Sequence, residues 1–183
     1  MRRFTLGCRG GLWVMVVALL GLALSTHVAS AHLMVAQKGT LKLGKGGYYF
    51  VVSFPVSAFT GVDDDGDGSL SSRELRAHNA RIKAAILRGF ILSSDEVGPL
   101  PVEGLLLQMG HTHDRSRATH IIAMGRFNAT EGVRDLTLET HLFGEEKKAT
   151  RLTISITRGG DKERARLTPK TPTHRLFAKA KSR

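Results

Sequence analysis

The chain has almost no cysteine and few aromatic residues: its 183 residues include one cysteine, one tryptophan and two tyrosines. The cysteine, Cys8, lies in an N-terminal segment that we predict to be removed on export, so the mature chain has no thiol. This absence excludes disulfides, thiolate nucleophiles and cysteine-ligated zinc sites. The fold must therefore be stabilised by packing, and a bound metal is the remaining source of added stability.

Long apolar runs are also scarce. The longest run, Leu12–Leu24, has 13 residues, fewer than the roughly 20 that a membrane-spanning helix needs. Arginines precede it, and the small-residue triplet ASA follows it and ends at Ala31. This order is typical of a cleaved signal peptide. We therefore predict that residues 1–31 are a signal peptide, and that the mature protein is periplasmic or secreted and has no transmembrane segment.

Acidic residues are outnumbered, since the chain has 27 lysines and arginines against 16 aspartates and glutamates. Three of the arginines lie in the predicted signal, so the mature chain keeps 24 basic residues and a formal net charge of about +8. A basic surface favours anionic partners, which outside the cytoplasm are envelope components or acidic proteins rather than nucleic acid. The sequence also lacks the arginine-rich motif with interleaved aromatics that would indicate a nucleic-acid interface.

Catalytic signatures are absent as well. The sequence contains no Gly-x-Ser-x-Gly nucleophile turn, no phosphate-binding loop and no dinucleotide fingerprint. Asp114, Asp135 and Glu139 are carboxylates, but no spacing in the sequence ties two of them together as an acid and base pair. We therefore predict that the protein is not an enzyme and has no catalytic residues.

The mature chain does show apolar and polar residues alternating with a period of two. Four segments show this alternation: YYFVVSFPV from Tyr48, THIIAMGRF from Thr119, LTLETHLF from Leu136 and RLTISITR from Arg151. Such segments are typical of strands with one buried face. With a further strand near residues 33–43 and glycine-rich breaks between strands, the pattern predicts about six or seven short strands. The predicted fold is a single antiparallel β-sandwich domain spanning residues 32–168.

Two segments depart from this alternation. From residue 72, apolar residues recur on one helical stripe: Leu75, Ile82, Ala85, Ile86 and Phe90. This periodicity predicts one long helix over about residues 72–90. Near the C-terminus the chain becomes basic and poor in large apolar side chains, which predicts a mobile tail over residues 169–183.

Five of the chain's 16 acidic residues are concentrated in the stretch DDDGDGSLSSRE, residues 63–74. Carboxylates this close repel one another unless a cation neutralises them or water screens them. Asp63, Asp65 and Asp67 occupy alternate positions, where a curling chain points their side chains toward one centre. Gly68 allows the sharp turn at positive φ that the curl requires. The spacing predicts a calcium site, because Ca²⁺ takes six to eight oxygen ligands.

Three more residues complete the predicted ligand set. Ser69 can offer its main-chain carbonyl, Ser71 can hold a bridging water, and Glu74 can close the site with both carboxylate oxygens from the first turn of the helix. The stretch from Ser71 to Glu74 equally fits a capping box, in which serine and glutamate satisfy the first amides of a helix. Both interpretations predict a helix that begins at residue 72.

The loop and the helix after it resemble the EF-hand calcium-binding family, over about 30 residues when the approach FPVSAFTGV is included. The resemblance implies Ca²⁺ as the bound ion and the six residues above as its ligands. The approach has room for about two helical turns, so the entering helix of the family is shortened here. No second loop has this spacing, and a lone loop implies weak binding, with a Kd of about 10⁻⁴ to 10⁻³ M.

The opening AHLMVAQKGTL, followed by strands and one such loop, is also similar to a set of small exported bacterial proteins. That similarity covers most of the chain and implies no particular activity.

Histidines give the alternative prediction. Cleavage at the predicted point makes His32 the first residue, and an N-terminal amine with its own imidazole is the chelate used in copper histidine-brace sites. The candidates for a further ligand are His111, His113, His120 and His141. In this one feature the chain resembles periplasmic copper-binding sandwiches and copper-dependent polysaccharide monooxygenases. The alternative function is therefore periplasmic copper binding, because imidazole suits copper.

Overall fold

A computed structural model describes residues 37–111, 117–129, 133–145 and 149–178. The predicted signal peptide and the first residues of the mature chain lie outside these ranges. Within the described part, the chain forms eleven strands, one 3-10 turn and one α-helix. In chain order these are β1 (Lys38–Gly44), β2 (Gly47–Pro55), the 3-10 turn (Val56–Ala58), β3 (Leu70–Ser71), α1 (Ser72–Gly89), β4 (Phe90–Ser94), β5 (Gly98–Pro99), β6 (Val102–His111), β7 (Arg117–Phe127), β8 (Leu136–Thr140), β9 (Leu152–Arg158), β10 (Asp161–Leu167) and β11 (Thr173–Arg175).

The strands form two sheets. In the larger sheet the order is β10-β9-β1-β2-β7, with β6 also paired to β7 and the short β3 paired to the first residues of β7. The smaller sheet has the order β11-β8-β4-β5. Neighbouring strands in the described part are antiparallel except β1 and β9, which run parallel. The structure confirms the predicted mainly-β fold, an antiparallel β-sandwich with one long helix.

The core lies between the two sheets and is built around four phenylalanines. Phe50 and Phe54 on β2 face Phe90 on β4, with ring centroids 5.3 and 5.7 Å apart. Phe127 on β7 lies 5.8 Å from Phe90, and all four rings are buried. The period of two explains this packing, because every second side chain of a strand points to the same face. Burying each ring contributes roughly 1.5–3 kcal/mol to the stability of the fold.

The helix α1 begins at Ser72, as predicted, and ends at Gly89. It ends one residue early because Phe90 has extended backbone and is the first residue of β4. Ile82 and Ile86 on its predicted apolar stripe are buried against the sandwich. No helix in the described part of the chain is long and apolar enough to cross a membrane.

The structure has more strands than the six or seven that the alternation predicts. For two of the additional strands, β6 and β10, there is a clear physical reason why the sequence does not show the alternation. The register of β6 shifts between Glu103 and Leu106, and Gly104 between them has a φ of 61°. A bulge of this kind interrupts alternation. β10 is polar and buries only Ala165 and Leu167, so its composition resembles a loop.

The prediction that residues 169–183 form a mobile tail is wrong for the part that the structure describes. Thr173–Arg175 forms β11 and pairs with β8, and the next residue, Leu176, is buried in the core. Arg158 places its guanidinium carbon 4.1 Å from the centre of the Phe177 ring. These anchors are single residues in a basic background, so composition alone does not reveal them.

Candidate metal centre

The acidic loop connects the 3-10 turn to β3 and is anchored at both of its ends. Val62 before it and Leu70 after it are 1% and 0% exposed. Leu70 and Ser71 form β3, which pairs with Ala118 and Arg117 at the start of β7. The loop between these anchors lies at the surface. The buried flanks therefore fix the path of an otherwise exposed polar segment.

The loop brings its three alternate aspartates together. Asp63, Asp65 and Asp67 each present a carboxylate oxygen, and the three oxygens lie within 4.8 Å of one another. Two oxygens bound to one Ca²⁺ at 2.3–2.6 Å are separated by at most about 5 Å. The three oxygens are therefore close enough to one another to bind a single metal ion. Within the described ranges, no other group of three histidine, cysteine or acidic side chains meets this criterion.

Backbone amides hold the loop in its curl. Oδ1 and Oδ2 of Asp63 accept hydrogen bonds from the amides of Gly66 and Gly68, both at 2.8 Å. Oδ1 of Asp67 accepts one from Ser69 at 2.8 Å. Gly66 and Gly68 have φ of 71° and 78°, and a Cβ at either would meet no atom within 4 Å. The positive φ, rather than lack of space, is what favours glycine at these two positions.

Glu74 lies at the start of α1 and is bound to the loop. Its Oε1 accepts the amide of Asp64 at 2.8 Å, and its Oε2 accepts the amide and hydroxyl of Ser71 at 2.8 and 2.6 Å. The hydrogen bond from the Ser71 hydroxyl, followed by those from the two amides, lowers the pKa of Glu74 from 4.5 to about 2. Glu74 is 6% exposed and is not part of the aspartate triad. The carboxylate therefore stays ionised and joins the loop to the helix.

The two predicted serine ligands are placed differently from each other. Ser71 is the N-cap of α1, and its hydroxyl both accepts from the amide of Glu74 at 3.3 Å and donates to the Glu74 carboxylate. The capping-box interpretation of this segment is therefore confirmed, and the hydroxyl is occupied by the helix start. Ser69 is half-buried, and its amide is fixed by Asp67.

Two basic side chains that the sequence did not single out for the site contact the loop. Nη2 of Arg117 lies 3.2 Å from Oδ2 of Asp65, and its Nη1 also contacts Asp67. Nε2 of His78 on α1 lies 2.8 Å from Oδ1 of Asp64. Arg117 is about 50 positions away along the chain, and only the pairing of β3 with β7 brings it to the triad. No local sequence signal could have indicated this contact.

The histidines of the copper prediction are only partly described. His32 and His113 lie outside the described residues, and His111 is the last residue of β6. His120 on β7 is buried against Gly110, and His141 is exposed with its Nε2 2.6 Å from Oε1 of Glu139. Copper binding by these residues stays a prediction.

Comparison with models of known protein families gives no match to this chain, and a search of curated proteins gives none. The resemblance to the EF-hand therefore depends on the residues of the loop and of the helix that follows it. The structure shows a mainly-β domain with three aspartates whose carboxylate oxygens lie close enough together to hold a metal ion.

Proposed function

We propose that this protein binds one calcium ion per chain in the loop of residues 63–74, as a single EF-hand within an exported β-sandwich. The observation that carries the proposal is the convergence of three alternate carboxylates within 4.8 Å between two buried anchors. Oxygen donors at this spacing suit a hard cation that takes six to eight ligands. A bound calcium ion would neutralise more of the carboxylate charge than the single guanidinium of Arg117, which contacts Asp65 and Asp67.

Several residues of the loop would contribute oxygen ligands to the ion. Asp63, Asp65 and Asp67 would provide carboxylate oxygens, and Ser69 would provide its main-chain carbonyl. Glu74 would add its carboxylate from the first turn of α1, to which it already connects the loop. Ordering the loop would therefore also fix the start of the helix, which packs on the sandwich through Ile82 and Ile86. This supports a structural or sensing role.

Arg117 supports a weak site. Its guanidinium contacts two of the three aspartates, so a bound cation must compete with a positive charge that the fold already provides. Like charges a few ångströms apart repel, and solvent reduces this repulsion at an exposed position. The proposed Kd of about 10⁻⁴ to 10⁻³ M matches extracellular modules, where the calcium concentration is high.

The proposed location is the periplasm or the extracellular space, from the N-terminal features of the sequence. An anionic envelope component or acidic protein is the proposed partner class, because of the net positive charge of the chain.

Calcium-dependent melting tests the proposal. A ligand that binds only the native state stabilises it by RT ln(1 + [L]/Kd), or about 1.4 kcal/mol at ten times Kd. For a domain of this size we expect the melting temperature of the chelator-treated protein to rise by about 3–6 °C when calcium is added. Glu74→Gln should remove this rise, because it removes the ionised carboxylate of the helix start.

Glu96→Gln is the matched control, since it makes the same change at an exposed residue of the turn between β4 and β5. It should melt with the same calcium dependence as the wild-type protein. The proposal fails if calcium leaves the wild-type melting temperature unchanged, or if Glu74→Gln and Glu96→Gln respond to calcium equally.

A further inference from the structure

A cavity of about 650 Å³ opens at the end of the sandwich remote from the acidic loop. It lies among the hairpin turn between β1 and β2, the turn between β9 and β10, and the segment before β8. The strand β2 begins at this cavity with Gly47 and ends at Pro55, before the loop. At about 3.3 Å per residue, the nine residues of β2 separate the two ends by roughly 25–30 Å.

The inner wall of the cavity is apolar. Leu43, Tyr48, Leu136 and Leu176 line it, and each of them is otherwise buried in the core. The hydroxyl of Tyr48 donates to the carbonyl of Val133 at 3.4 Å, so the polar end of the ring is satisfied at the cavity edge. Small-molecule sites are concave, mostly apolar and about 300–1,000 Å³ in volume. The cavity has the size and the wall of such a site.

The rim of the cavity is cationic. Four basic side chains line it: Lys42, Lys45, Arg134 and Arg158. Within the part of the chain that the structure describes, no ion pair involves Lys42, Lys45 or Arg134, and Arg158 has one long pair, 4.0 Å to Asp161. The one acidic lining residue, Asp135, has its Oδ1 occupied by Arg175 at 2.9 Å. The rim therefore presents a net positive charge beside an apolar wall.

Arg158 is held in position at this rim. Its guanidinium carbon lies 4.1 Å from the centre of the Phe177 ring, a cation–π contact. Burial raises the pKa of Tyr48 above its usual 10.0, and the charge of Arg158 opposes part of that rise. Arg158 therefore lies close enough to Tyr48, on the inner wall, for its charge to act on the Tyr48 hydroxyl.

We propose that this cavity binds a small amphipathic anion, whose alkyl or aryl body packs on the apolar wall and whose carboxylate or phosphate meets the cationic rim. An apolar wall alone would accept any apolar molecule, and surface cations alone would accept any anion. The two together select a molecule that has both parts. The binding does not depend on calcium at the other end.

Isothermal titration of the purified protein with four probes tests this assignment, with every probe below its micelle-forming concentration. Decanoate and decyl phosphate should each bind once per chain, and decyltrimethylammonium and acetate should give no saturable heat. Shortening the alkyl chain should weaken carboxylate binding about fourfold for each CH₂ removed. Tighter binding of decyl phosphate would indicate a phosphorylated amphiphile as the source, and tighter binding of decanoate a free fatty acid.

Charge variants locate the site. Lys42→Gln and Arg158→Gln should each weaken decanoate binding about two- to fivefold, because rim charges are partly screened by solvent. Arg164→Gln is the control, since Arg164 is an exposed residue of β10 that does not line the cavity. Thermal melting confirms that each variant is folded, and the exposed Lys42 provides a test even if loss of the Arg158–Phe177 contact destabilises the chain.

Three results would overturn the proposal. The first is the absence of saturable decanoate binding to the wild-type protein. The second is equal binding of decanoate and decyltrimethylammonium, which would show that the rim charge has no effect. The third is unchanged decanoate binding in both Lys42→Gln and Arg158→Gln, which would place the ligand elsewhere.

Discussion

The two ends of the sandwich carry opposite charges and are built in different ways. At one end, the residues between Asp63 and Glu74 supply the acidic triad from a single short loop. At the other end, a cationic rim and an apolar wall are collected from four segments that are far apart in sequence. The same strands, β2 and β7, connect the two ends.

This difference reflects the ligand that each end suits. A hard cation needs several oxygens within about 5 Å of one another, and a short curling loop can supply them by itself. An amphipathic anion needs a wall of large apolar side chains, and such a wall exists only after strands have paired. The acidic end is therefore a local structure attached to the fold, whereas the basic end is a product of the fold.

The largest expected effect tests how firmly the acidic end is attached to the core. Leu70→Ala should lower the free energy of unfolding by about 2–5 kcal/mol, because Leu70 is fully buried and its loss leaves a cavity. The same variant should weaken calcium binding and leave decanoate binding unchanged below its melting temperature. Urea unfolding measures the first effect, and titration measures the other two.

Leu106→Ala is the control for Leu70→Ala, since Leu106 is 61% exposed. Its effect on the free energy of unfolding should stay within about 0.5 kcal/mol. An equally small effect of Leu70→Ala would contradict the anchoring of the loop by the core.

The next effect separates the helix cap from the ion site. Ser71→Ala should lower the free energy of unfolding of the chelator-treated protein by about 1 kcal/mol, because the N-cap hydroxyl is lost. The calcium-induced rise in melting temperature should persist, since a residue at this position of the loop contacts the ion through a bridging water and not directly. Loss of that rise in Ser71→Ala would show that the ion site needs the Ser71 hydroxyl.

Acid should weaken the contacts that Glu74 makes at the loop end. The pKa of Glu74 is about 2 in the folded chain, against an ordinary value of 4.5. Its ionised form therefore stabilises the fold above pH 4.5, and this contribution is lost as the pH falls toward 2. In chelator, the difference in unfolding free energy between wild type and Glu74→Gln should shrink over this range. Urea unfolding at several pH values measures it, and parallel curves for the two proteins would contradict the assigned shift.

The smallest effect tests whether the two ends act independently. Arg117→Gln should strengthen calcium binding about two- to fivefold, since an exposed pair contributes about 0.2–1 kcal/mol. Arg158→Gln removes the same charge at the other end and should leave calcium binding unchanged, because roughly 25 Å exceeds the Debye length of about 10 Å at 0.1 M salt. Calcium titrations of both variants measure this, and an equal response of the two would contradict a specific role for Arg117.

The sequence allowed the fold class and the acidic end to be predicted, but not the cavity at the basic end. Particular residues show why. The aspartate triad, the cap at Ser71 and the helix that follows are encoded within a few consecutive positions, so their spacing is visible in the sequence. Arg117 reaches the triad only through the pairing of β3 with β7.

The cavity at the basic end depends on long-range pairing in the same way. Leu176 joins its wall only because the C-terminal segment pairs with β8. That segment has too few apolar residues to predict a strand. A second strand, β6, was also missed, because the bulge at Gly104 interrupts its alternation. Features that depend on long-range pairing are therefore the ones that the sequence did not reveal.

An isothermal calcium titration of the chelator-treated protein, with magnesium as the competitor, tests the central claim most directly. Our account predicts heat that saturates at one calcium per chain, with a Kd of about 10⁻⁴ to 10⁻³ M. Magnesium at the same concentration should not displace the calcium, because it demands a tighter octahedral shell. Absence of heat up to several times that Kd would contradict the account and leave residues 63–74 as an acidic surface turn.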